Sequence, residues 1–303
     1  MSEQSTARGP CAVVAVCNQK GGCGKSTTAA SLAAGAAYKG FNSLLIDLDS
    51  QCNSSETFVG DPVILMRDSV LTILDVLRDR QPLERVIQYH PGRFRGRFGV
   101  VPGHLRVDQA EAAFESQLSL RVLQDELSDV EKGEERIRFL RGLRVAIDEV
   151  RSDFDLVVLD TPPSLGFLLT SALIAADYYL IPFAGSKFNL DALDRLTTTT
   201  SKIRERFNPN LQLLGLLFTL VDERTRIDRQ VQELVKENYG PDLFETFISY
   251  AVPHREAPFR RESIFEYVPG EKAALQYEAL VDEVFRRVAE RGVRPRAQEV
   301  SNV

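Results

Sequence analysis

The feature that most constrains the fold is a glycine-rich loop that separates an apolar run from an alanine-rich run. Residues 18–28 read Asn-Gln-Lys-Gly-Gly-Cys-Gly-Lys-Ser-Thr-Thr. The preceding run, 12–17, is apolar and predicts a strand, whereas 25–38 predicts a helix. In such a unit the glycines let backbone N–H groups turn inward, and the helix N-terminus adds its positive end. The sequence therefore predicts a phosphate-binding loop in an α/β protein.

Two lysines distinguish this loop. We expect Lys25 to reach the β- and γ-phosphates of a nucleotide and the Ser26 hydroxyl to bind Mg²⁺. Gln19 occupies the first glycine position of the usual G-x-x-x-x-G-K-[ST] pattern, and a second lysine, Lys20, stands five residues before Lys25. The predicted nucleotide-binding residues of the loop are Lys20, Gly21, Gly22, Cys23, Gly24, Lys25, Ser26 and Thr27.

The rest of the chain alternates short apolar runs with longer helical patterns. Strands are predicted at 12–17, 43–48, 98–101, 156–159, 179–183, 213–220 and 246–250. Helices are predicted at 25–38, 70–77, 107–127, 134–150, 190–207, 226–238 and 272–291. Such alternation indicates a doubly wound, mostly parallel sheet flanked by helices. No linker or repeat divides the chain, so we expect one domain over 1–303, with flexible ends at 1–10 and 292–303.

Acidic residues follow two of the predicted strands. Asp47 and Asp49 end the run 43–48, and Asp160 ends the run 156–159. Ligands of open parallel sheets bind at the carboxyl ends of the strands. One acid there can hold Mg²⁺ and another can orient an attacking water.

Composition and charge exclude several classes of protein. No apolar run approaches the roughly 20 residues of a membrane helix, and the polar N-terminus has no signal-peptide pattern. We therefore expect a cytoplasmic protein without membrane contact. All four cysteines lie between Cys11 and Cys52 and lack C-x-x-C spacing, so we interpret them as packing residues. An iron–sulfur protein would need cluster cysteines in mid-chain.

At three motifs the chain resembles a known family, the ParA/Soj partition ATPases. These motifs are Lys-Gly-Gly-Cys-Gly-Lys-Ser-Thr-Thr at 20–28, Leu-Ile-Asp-Leu-Asp-Ser-Gln at 45–51 and Leu-Asp-Thr-Pro-Pro-Ser at 159–164. The family belongs to the deviant Walker A group, which includes MinD. The likeness continues through Glu-Ala-Pro at 256–258 and covers roughly 11–290.

The resemblance implies a P-loop ATPase that uses ATP and Mg²⁺ and forms an ATP-dependent homodimer. Lys20 would reach across that dimer to the partner's phosphates, and Lys20, Lys25 and Asp49 would be catalytic. Ser26, Asp49 and Asp160 would lie at the metal, with Asp160 as the Walker B acid. The resemblance further implies non-specific binding of double-stranded DNA, a ParB-type activator, a nucleoid-associated location and a role in chromosome or plasmid partitioning.

Some positions depart from the family's usual residues: Cys23 for Val, Ser26 for Thr, Ser50 for Pro and Cys52 for Gly. Ser249 stands where the family often has a proline near the nucleotide base. We include Pro253, a few residues further on, among the nucleotide-binding residues.

DNA contact is expected in the C-terminal half. Residues 195–229 carry seven Lys/Arg and four Asp/Glu, a local excess of positive charge in a chain of net charge −6. Arg204 and Arg206 end a predicted helix, and Arg224 and Arg226 lie in the turn after a predicted strand. An alternative is that these are scattered surface arginines paired with neighbouring acids.

Other functions on the same fold remain open. The same ATPase can position non-DNA cargo such as chemoreceptor clusters or carboxysomes. A MinD-like division-site regulator would need a terminal amphipathic helix that binds lipid. A kinase, a synthetase or a non-enzymatic scaffold is also compatible with the fold. A GTPase is disfavoured because 219–222, Thr-Leu-Val-Asp, lacks the lysine of a guanine-reading motif.

Overall fold

Seven strands form one sheet in the described part of the computed structural model, which comprises residues 10–123, 128–185, 190–222 and 224–292. The strands are β1 (Ala12–Val16), β2 (Ser43–Asp47), β3 (Gln88–Tyr89), β4 (Phe98–Val101), β5 (Leu156–Asp160), β6 (Tyr178–Ala184) and β7 (Gln212–Thr219). Their order is β3-β4-β2-β5-β1-β6-β7. Every pairing is parallel except that of β3 with β4 at one edge.

Helices cover both faces of this sheet. Those in the N-terminal half are α1 (Lys25–Tyr38), α2 (Asn53–Phe58), α3 (Pro62–Arg67), α4 (Ile73–Asp79), α5 (Leu83–Val86), α6 (Ala110–Leu123) and α7 (Asp129–Val150). They are followed by α8 (Phe167–Ala175), α9 (Leu190–Arg206), α10 (Arg226–Tyr239), α11 (Pro253–Phe259), α12 (Ile264–Tyr267) and α13 (Lys272–Arg291). The predicted doubly wound, mostly parallel sheet is confirmed.

The central strands are buried on both faces, which explains their nearly continuous apolar sequences. Successive side chains alternate between two cores, so Val13 belongs to the core on one face and Val14 to the core on the other. The alanine-rich helix α1 packs into the second core. A Cβ atom on its Gly35 would lie 2.7 Å from Phe265 and 2.9 Å from Val281, so glycine permits this close approach.

The predicted strand at 246–250 is wrong. Beyond β7 the chain makes only isolated parallel bridges, Leu216 with Leu243 and Val221 with Ser249. The backbone N–H groups of Glu245 and Thr246 donate to the Glu283 carboxylate, both at 2.9 Å. These two donors are therefore turned away from β7, and a continuous ladder is interrupted.

Several helices also differ from their predicted bounds. The predicted helix 107–127 is a 3-10 turn at Val107–Gln109 followed by α6, and 124–127 lie outside the described residues. Helix α7 begins five residues before the predicted 134, because Ser128 and Glu131 form a capping box at its start. The predicted flexible ends lie almost wholly outside the described residues. The sequence did not predict α2, α3, α5, α8, α11, α12 or β3, all of which are short.

Candidate functional site

The glycine loop lies at the carboxyl end of β1 and leads directly into α1. Gly22 and Gly24 have φ angles of 68° and 80°, in the left-handed region that glycine adopts without steric cost. The Thr28 amide donates to the Gly24 carbonyl oxygen at 2.8 Å and starts the helix. The loop therefore leads into the N-terminus of α1, whose positive dipole end favours an anion.

Two polar side chains outside the glycine motif anchor the loop to neighbouring strands. The Asn18 amide nitrogen donates to the Pro182 carbonyl oxygen in β6 at 2.7 Å, and its amide oxygen accepts from Lys20 N at 3.0 Å. The Thr219 hydroxyl, at the end of β7, donates to the Cys23 carbonyl oxygen at 2.8 Å. These bonds fix the loop to β6 and β7. The sequence did not predict this role for Asn18 or Thr219.

Lys25 lies at the centre of the loop. Its Nζ atom donates to the Lys20 carbonyl oxygen at 3.1 Å, and the residue is only 6% exposed. The Cys23 thiol donates to the same carbonyl oxygen at 3.1 Å. A buried ammonium group held by a neutral carbonyl is strongly stabilised by an anion. This geometry suits a phosphate group.

Asp160 lies beside the loop at the end of β5, where it pairs with Asp47 of β2. It is fully buried, and the Ser54 hydroxyl donates to its Oδ2 atom at 2.5 Å. Its Oδ1 atom is buried without a hydrogen-bond partner among the described residues. Burial, reinforced by the Asp47 carboxyl, raises the pKa of Asp160, and hydrogen bonds from Ser54 and Ser26 oppose this shift.

The oxygen atoms here fit a magnesium ion. The partnerless Oδ1 atom of Asp160 would be a ligand for the metal or an acceptor for metal-bound water. The Ser26 hydroxyl is near enough to the Asp160 carboxyl to oppose the rise in its pKa. Within the described ranges no group of three or more His, Cys, Asp or Glu side chains is suited to hold a metal alone. That agrees with Mg²⁺, which is usually held by one or two protein oxygens together with substrate phosphates.

The structure gives different surroundings to the two acids at the end of β2, Asp47 in the strand and Asp49 after it. Asp47 is fully buried, and its Oδ2 atom accepts from the Ser55 amide at 2.9 Å and from the Ser55 hydroxyl at 2.6 Å. Its Oδ1 atom accepts from the Asp49 amide at 3.1 Å. Asp47 therefore joins β2 to α2. Asp49 lines the cavity described next, so it is the acid that can meet a ligand.

One cavity of about 490 Å³ lies against the loop and Asp49, whereas Asp160 and Asp47 are not among its lining residues. Lys25, Ser26 and Asp49 line its phosphate end. Its other end lies between α1, α2, α11 and α12, where Ser31, Phe58, His254, Ala257, Pro258 and Ile264 line it. Pro253 begins α11 but is not among the lining residues, whereas the following residue, His254, is. Sequence reasoning missed His254; its rarity, as one of three histidines, was the available signal.

The arginines chosen for DNA contact do not come together. Arg204 and Arg206 are exposed in the last turn of α9, which leads to the start of β7. Arg224 follows the other end of β7, an eight-residue strand that spans roughly 25 Å. Its guanidinium group makes two 2.9 Å hydrogen bonds to Asp222. Arg226 begins α10, and its side chain lies outside what the structure describes.

Membrane insertion finds no support in the helices. Among the described residues, no helix combines the length and the apolar character needed to cross a bilayer. All four cysteines are buried, as the packing interpretation predicts.

Comparison with known proteins finds relatives over most of the chain. The family described as AAA domain matches residues 11–213. The chain is 32% identical over 276 residues to the chromosome partitioning protein ParA of Myxococcus xanthus, covering 91% of this chain and 88% of that protein. It is 30% identical over 272 residues to the sporulation initiation inhibitor protein Soj of Bacillus subtilis, covering 90% and 97%.

A solved structure shares the fold over nearly the whole chain. Cobyrinic acid a,c-diamide synthase from Mycobacterium smegmatis, with bound ATP analogue and magnesium, superposes with a TM-score of 0.71. The two chains are 26% identical, and the match covers 94% of this chain and 98% of the synthase. The similarity therefore includes the sheet and the helices that surround the loop.

Proposed function

This chain belongs to the ParA/Soj family of partition ATPases, and we propose that it is a Mg²⁺-dependent ATPase that dimerises around ATP, binds DNA non-specifically and partitions chromosomes or plasmids. The observation that carries the proposal is one cavity lined by Lys25, Ser26 and Asp49. These residues supply a phosphate cation, a metal-facing hydroxyl and an acid. The whole chain acts as one P-loop ATPase domain.

Phosphate binding rests on the loop itself. The N–H groups of the loop and the N-terminus of α1 surround the phosphates, while Lys25 supplies a positive charge. Because Lys25 is already held over the loop by the Lys20 carbonyl, little ordering of this long side chain remains to be done on binding.

Ser26 and Asp160 would hold Mg²⁺, with Asp49 close enough to share the site or its water. When bound, Mg²⁺ neutralises the charge of the phosphates and fixes their geometry. Asp49 accepts a hydrogen bond from its own turn, from Gln51 N at 3.0 Å, which fixes the carboxylate at the cavity wall. From there Asp49 orients the water that attacks the γ-phosphate.

The second lysine of the loop supports a dimer. Lys25 would contact the phosphates bound by its own protomer. The second lysine of the loop is then available to contact the phosphates bound by a partner protomer. Lys20 is proposed to contact the phosphates of the partner subunit, as an arginine finger does. ATP then lies between two subunits and stabilises their association.

DNA and the activator protein complete the cycle. We propose that the ATP dimer binds double-stranded DNA through phosphate contacts, with Arg204, Arg206, Arg224 and Arg226 as candidates. A ParB-type partner would stimulate hydrolysis and release the DNA. The protein would then be nucleoid-associated. Positioning of a non-DNA cargo is the alternative, and it uses the same site.

The central test is phosphate release by the purified chain. We expect hydrolysis of ATP in the presence of Mg²⁺, loss of turnover when EDTA removes the metal, and stimulation by DNA with the cognate ParB-type protein. ATP should shift the protein from monomer to dimer in light scattering, and ADP should not. A chain that neither binds nor hydrolyses ATP with Mg²⁺ present would refute the proposed function.

A further inference from the structure

His254 is a buried polar side chain that the fold itself leaves without a hydrogen-bond partner. It lies in the first turn of α11 and is 9% exposed. Its Nδ1 and Nε2 atoms are both buried and accept or donate no hydrogen bond within the described ranges. Burying such atoms costs free energy, so an unpaired buried group in a native fold calls for an explanation.

Packing fixes the imidazole ring in relation to the phosphate loop. The ring meets Tyr277 edge to face, with centroids 5.4 Å apart and planes at 88°. The Tyr277 hydroxyl lies 3.5 Å from the Thr28 hydroxyl in the first turn of α1. Thr28 in turn closes the loop through the carbonyl oxygen of Gly24. His254 is therefore connected through two contacts to a residue in the first turn of the helix that follows the loop.

The cavity also connects His254 to the loop directly. Lys25, Ser26 and Ser31 of α1 line this cavity, and His254 of α11 lines it as well. Lys25 and Ser31 are less than two helical turns apart, so this path along α1 measures roughly 9 Å. A triphosphate held at the loop leaves its sugar and base within reach of this far end.

The chemistry of the ring suits a neutral, polar ligand group. Burial lowers the pKa of His254 to about 4, so the ring is neutral at physiological pH. A neutral imidazole has one N–H donor and one acceptor nitrogen. It offers no charge to phosphate, but it can pair with a ribose hydroxyl or with the polar edge of a purine.

We propose that His254 hydrogen-bonds the nucleoside part of bound ATP and so determines how strongly this chain prefers a nucleotide to a bare polyphosphate. The inference rests on the proposed function, because it requires ATP in the cavity. It adds a specificity-determining residue on α11, far along the chain from the loop that holds the phosphates.

The test compares ATP with inorganic tripolyphosphate, which has the phosphates and no nucleoside. We expect His254→Leu to weaken ATP binding about tenfold in isothermal titration, the effect of one lost hydrogen bond. Its affinity for tripolyphosphate should equal that of wild type. His254→Gln keeps a donor and an acceptor and should recover part of the loss. Thermal melting of all three proteins shows whether the fold is kept.

The outcomes separate the possibilities. Unchanged ATP affinity in His254→Leu would overturn the inference, and so would an equal loss for ATP and tripolyphosphate. If the variant loses affinity for ATP but not for 2′-deoxyATP, the contact is to the ribose 2′-hydroxyl. If it loses affinity for both, the contact is to the base or to the ribose 3′-hydroxyl. Failure of the wild-type protein to bind ATP would instead refute the proposed function itself.

Discussion

The Nζ atom of Lys25 donates a hydrogen bond of 3.1 Å to the backbone carbonyl oxygen of Lys20, so the two lysines of the loop have unequal roles. Lys20 holds Lys25 through its main chain, and that contact does not depend on the Lys20 side chain. A substitution at Lys25 removes a buried cation from the phosphate site, whereas a substitution at Lys20 leaves the Lys25 contact possible. The two variants should therefore fail in different assays.

Lys25→Ala should abolish measurable ATP binding. The change removes the main positive charge facing the phosphates and leaves the Lys20 carbonyl oxygen with the weaker Cys23 thiol as its donor. We expect a loss of about 100-fold or more in affinity by isothermal titration. Lys39→Ala is the matched control, because Lys39 caps the other end of α1 in an exposed ion pair with Asp282. Equal ATP affinity in Lys25→Ala and Lys39→Ala would show that the loop is not the phosphate site.

Lys20→Ala should bind ATP within about threefold of wild type but should lose ATP-driven dimerisation. Turnover should fall by about 100-fold or more if Lys20 acts as a finger in trans. Light scattering with ATP and with ADP measures the first effect, and phosphate release measures the second. A variant that dimerises and hydrolyses ATP as wild type does would remove Lys20 from the mechanism.

Asp49→Ala should trap the ATP-bound dimer. Binding survives because Lys25 and the loop are intact, while the water-orienting carboxylate is gone, so phosphate release should fall by about 100-fold or more. The dimer should outlast that of wild type after ATP is diluted. Light scattering after dilution and a phosphate-release assay test both effects. Wild-type hydrolysis in Asp49→Ala would require another acid.

Asp47→Ala provides the contrast. Because Asp47 accepts three hydrogen bonds and does not line the nucleotide cavity, its loss should lower the free energy of unfolding by about 2–4 kcal/mol. Urea unfolding should detect this change, and Asp49→Ala should show much less of it. A stable, inactive Asp47→Ala protein would mean that the two roles are reversed.

The loop and the acids were predictable because each is a local pattern. Asp160 ends a strand, while Lys25 and Ser26 begin the helix that follows the glycine loop, and these patterns are visible in the sequence. The anchors of the loop were not predictable, since Thr219 meets Cys23 across 196 positions of chain. His254 was missed for a similar reason, because its place in the cavity depends on how α11 packs against α2, α12 and α13.

Errors in the predicted elements have the same origin. The run 246–250 has strand-like residues, but Glu283 of a distant helix takes the backbone donors of Glu245 and Thr246. Helix α11 has seven residues, too few for a helical period to be read, and it contains Pro258. Tertiary contacts thus decided these segments, whereas the buried parallel strands carried their own signal.

His254 should make stability depend on pH. Burial lowers its pKa from 6.5 to about 4 in the folded protein, so at pH 7 the residue is neutral both folded and unfolded. As the pH falls below 6.5, the unfolded chain binds a proton that the folded chain excludes until about pH 4. Stability is therefore lost between these values, by at most about 3 kcal/mol.

Urea unfolding of wild type and His254→Leu at pH 7 and pH 5 measures this contribution. The free energy of unfolding should fall more in wild type than in the variant between the two pH values. Other groups titrate in both proteins, so the difference between them isolates His254. Parallel pH profiles for the two proteins would show that the imidazole is protonated in the fold as easily as in solution.

The arginines predicted to bind DNA lie in two separate places on the structure. Arg204 and Arg206 lie near the amino end of β7, whereas the phosphate loop lies at the carboxyl ends of the strands. Neither arginine forms an ion pair among the described residues. Arg224 follows the carboxyl end of β7, at the same end of the sheet as the phosphate loop, and forms an ion pair with Asp222. The two groups are separated by the length of β7 and should be tested apart. We expect Arg204 and Arg206 to matter more, because a phosphate need not displace a bound carboxylate there.

The measurement is binding of a random-sequence duplex in the presence of ATP at several salt concentrations. Contacts to phosphate alone give sequence-independent affinity whose logarithm falls linearly with the logarithm of salt concentration, by about 0.9 per contact. Dimerisation doubles the patch, so the Arg204→Ala, Arg206→Ala double variant should reduce the slope by up to about four. Arg224→Ala should reduce it less. Arg67→Ala with Arg78→Ala is the control for removing two exposed positive charges elsewhere on the surface; like Arg224, both arginines are paired with an aspartate. If the Arg204 and Arg206 double variant still dimerises with ATP but no longer binds DNA, the end of α9 is the DNA site. If this variant binds DNA as the wild type and the Arg67 and Arg78 variant do, Arg204 and Arg206 have no part in DNA binding.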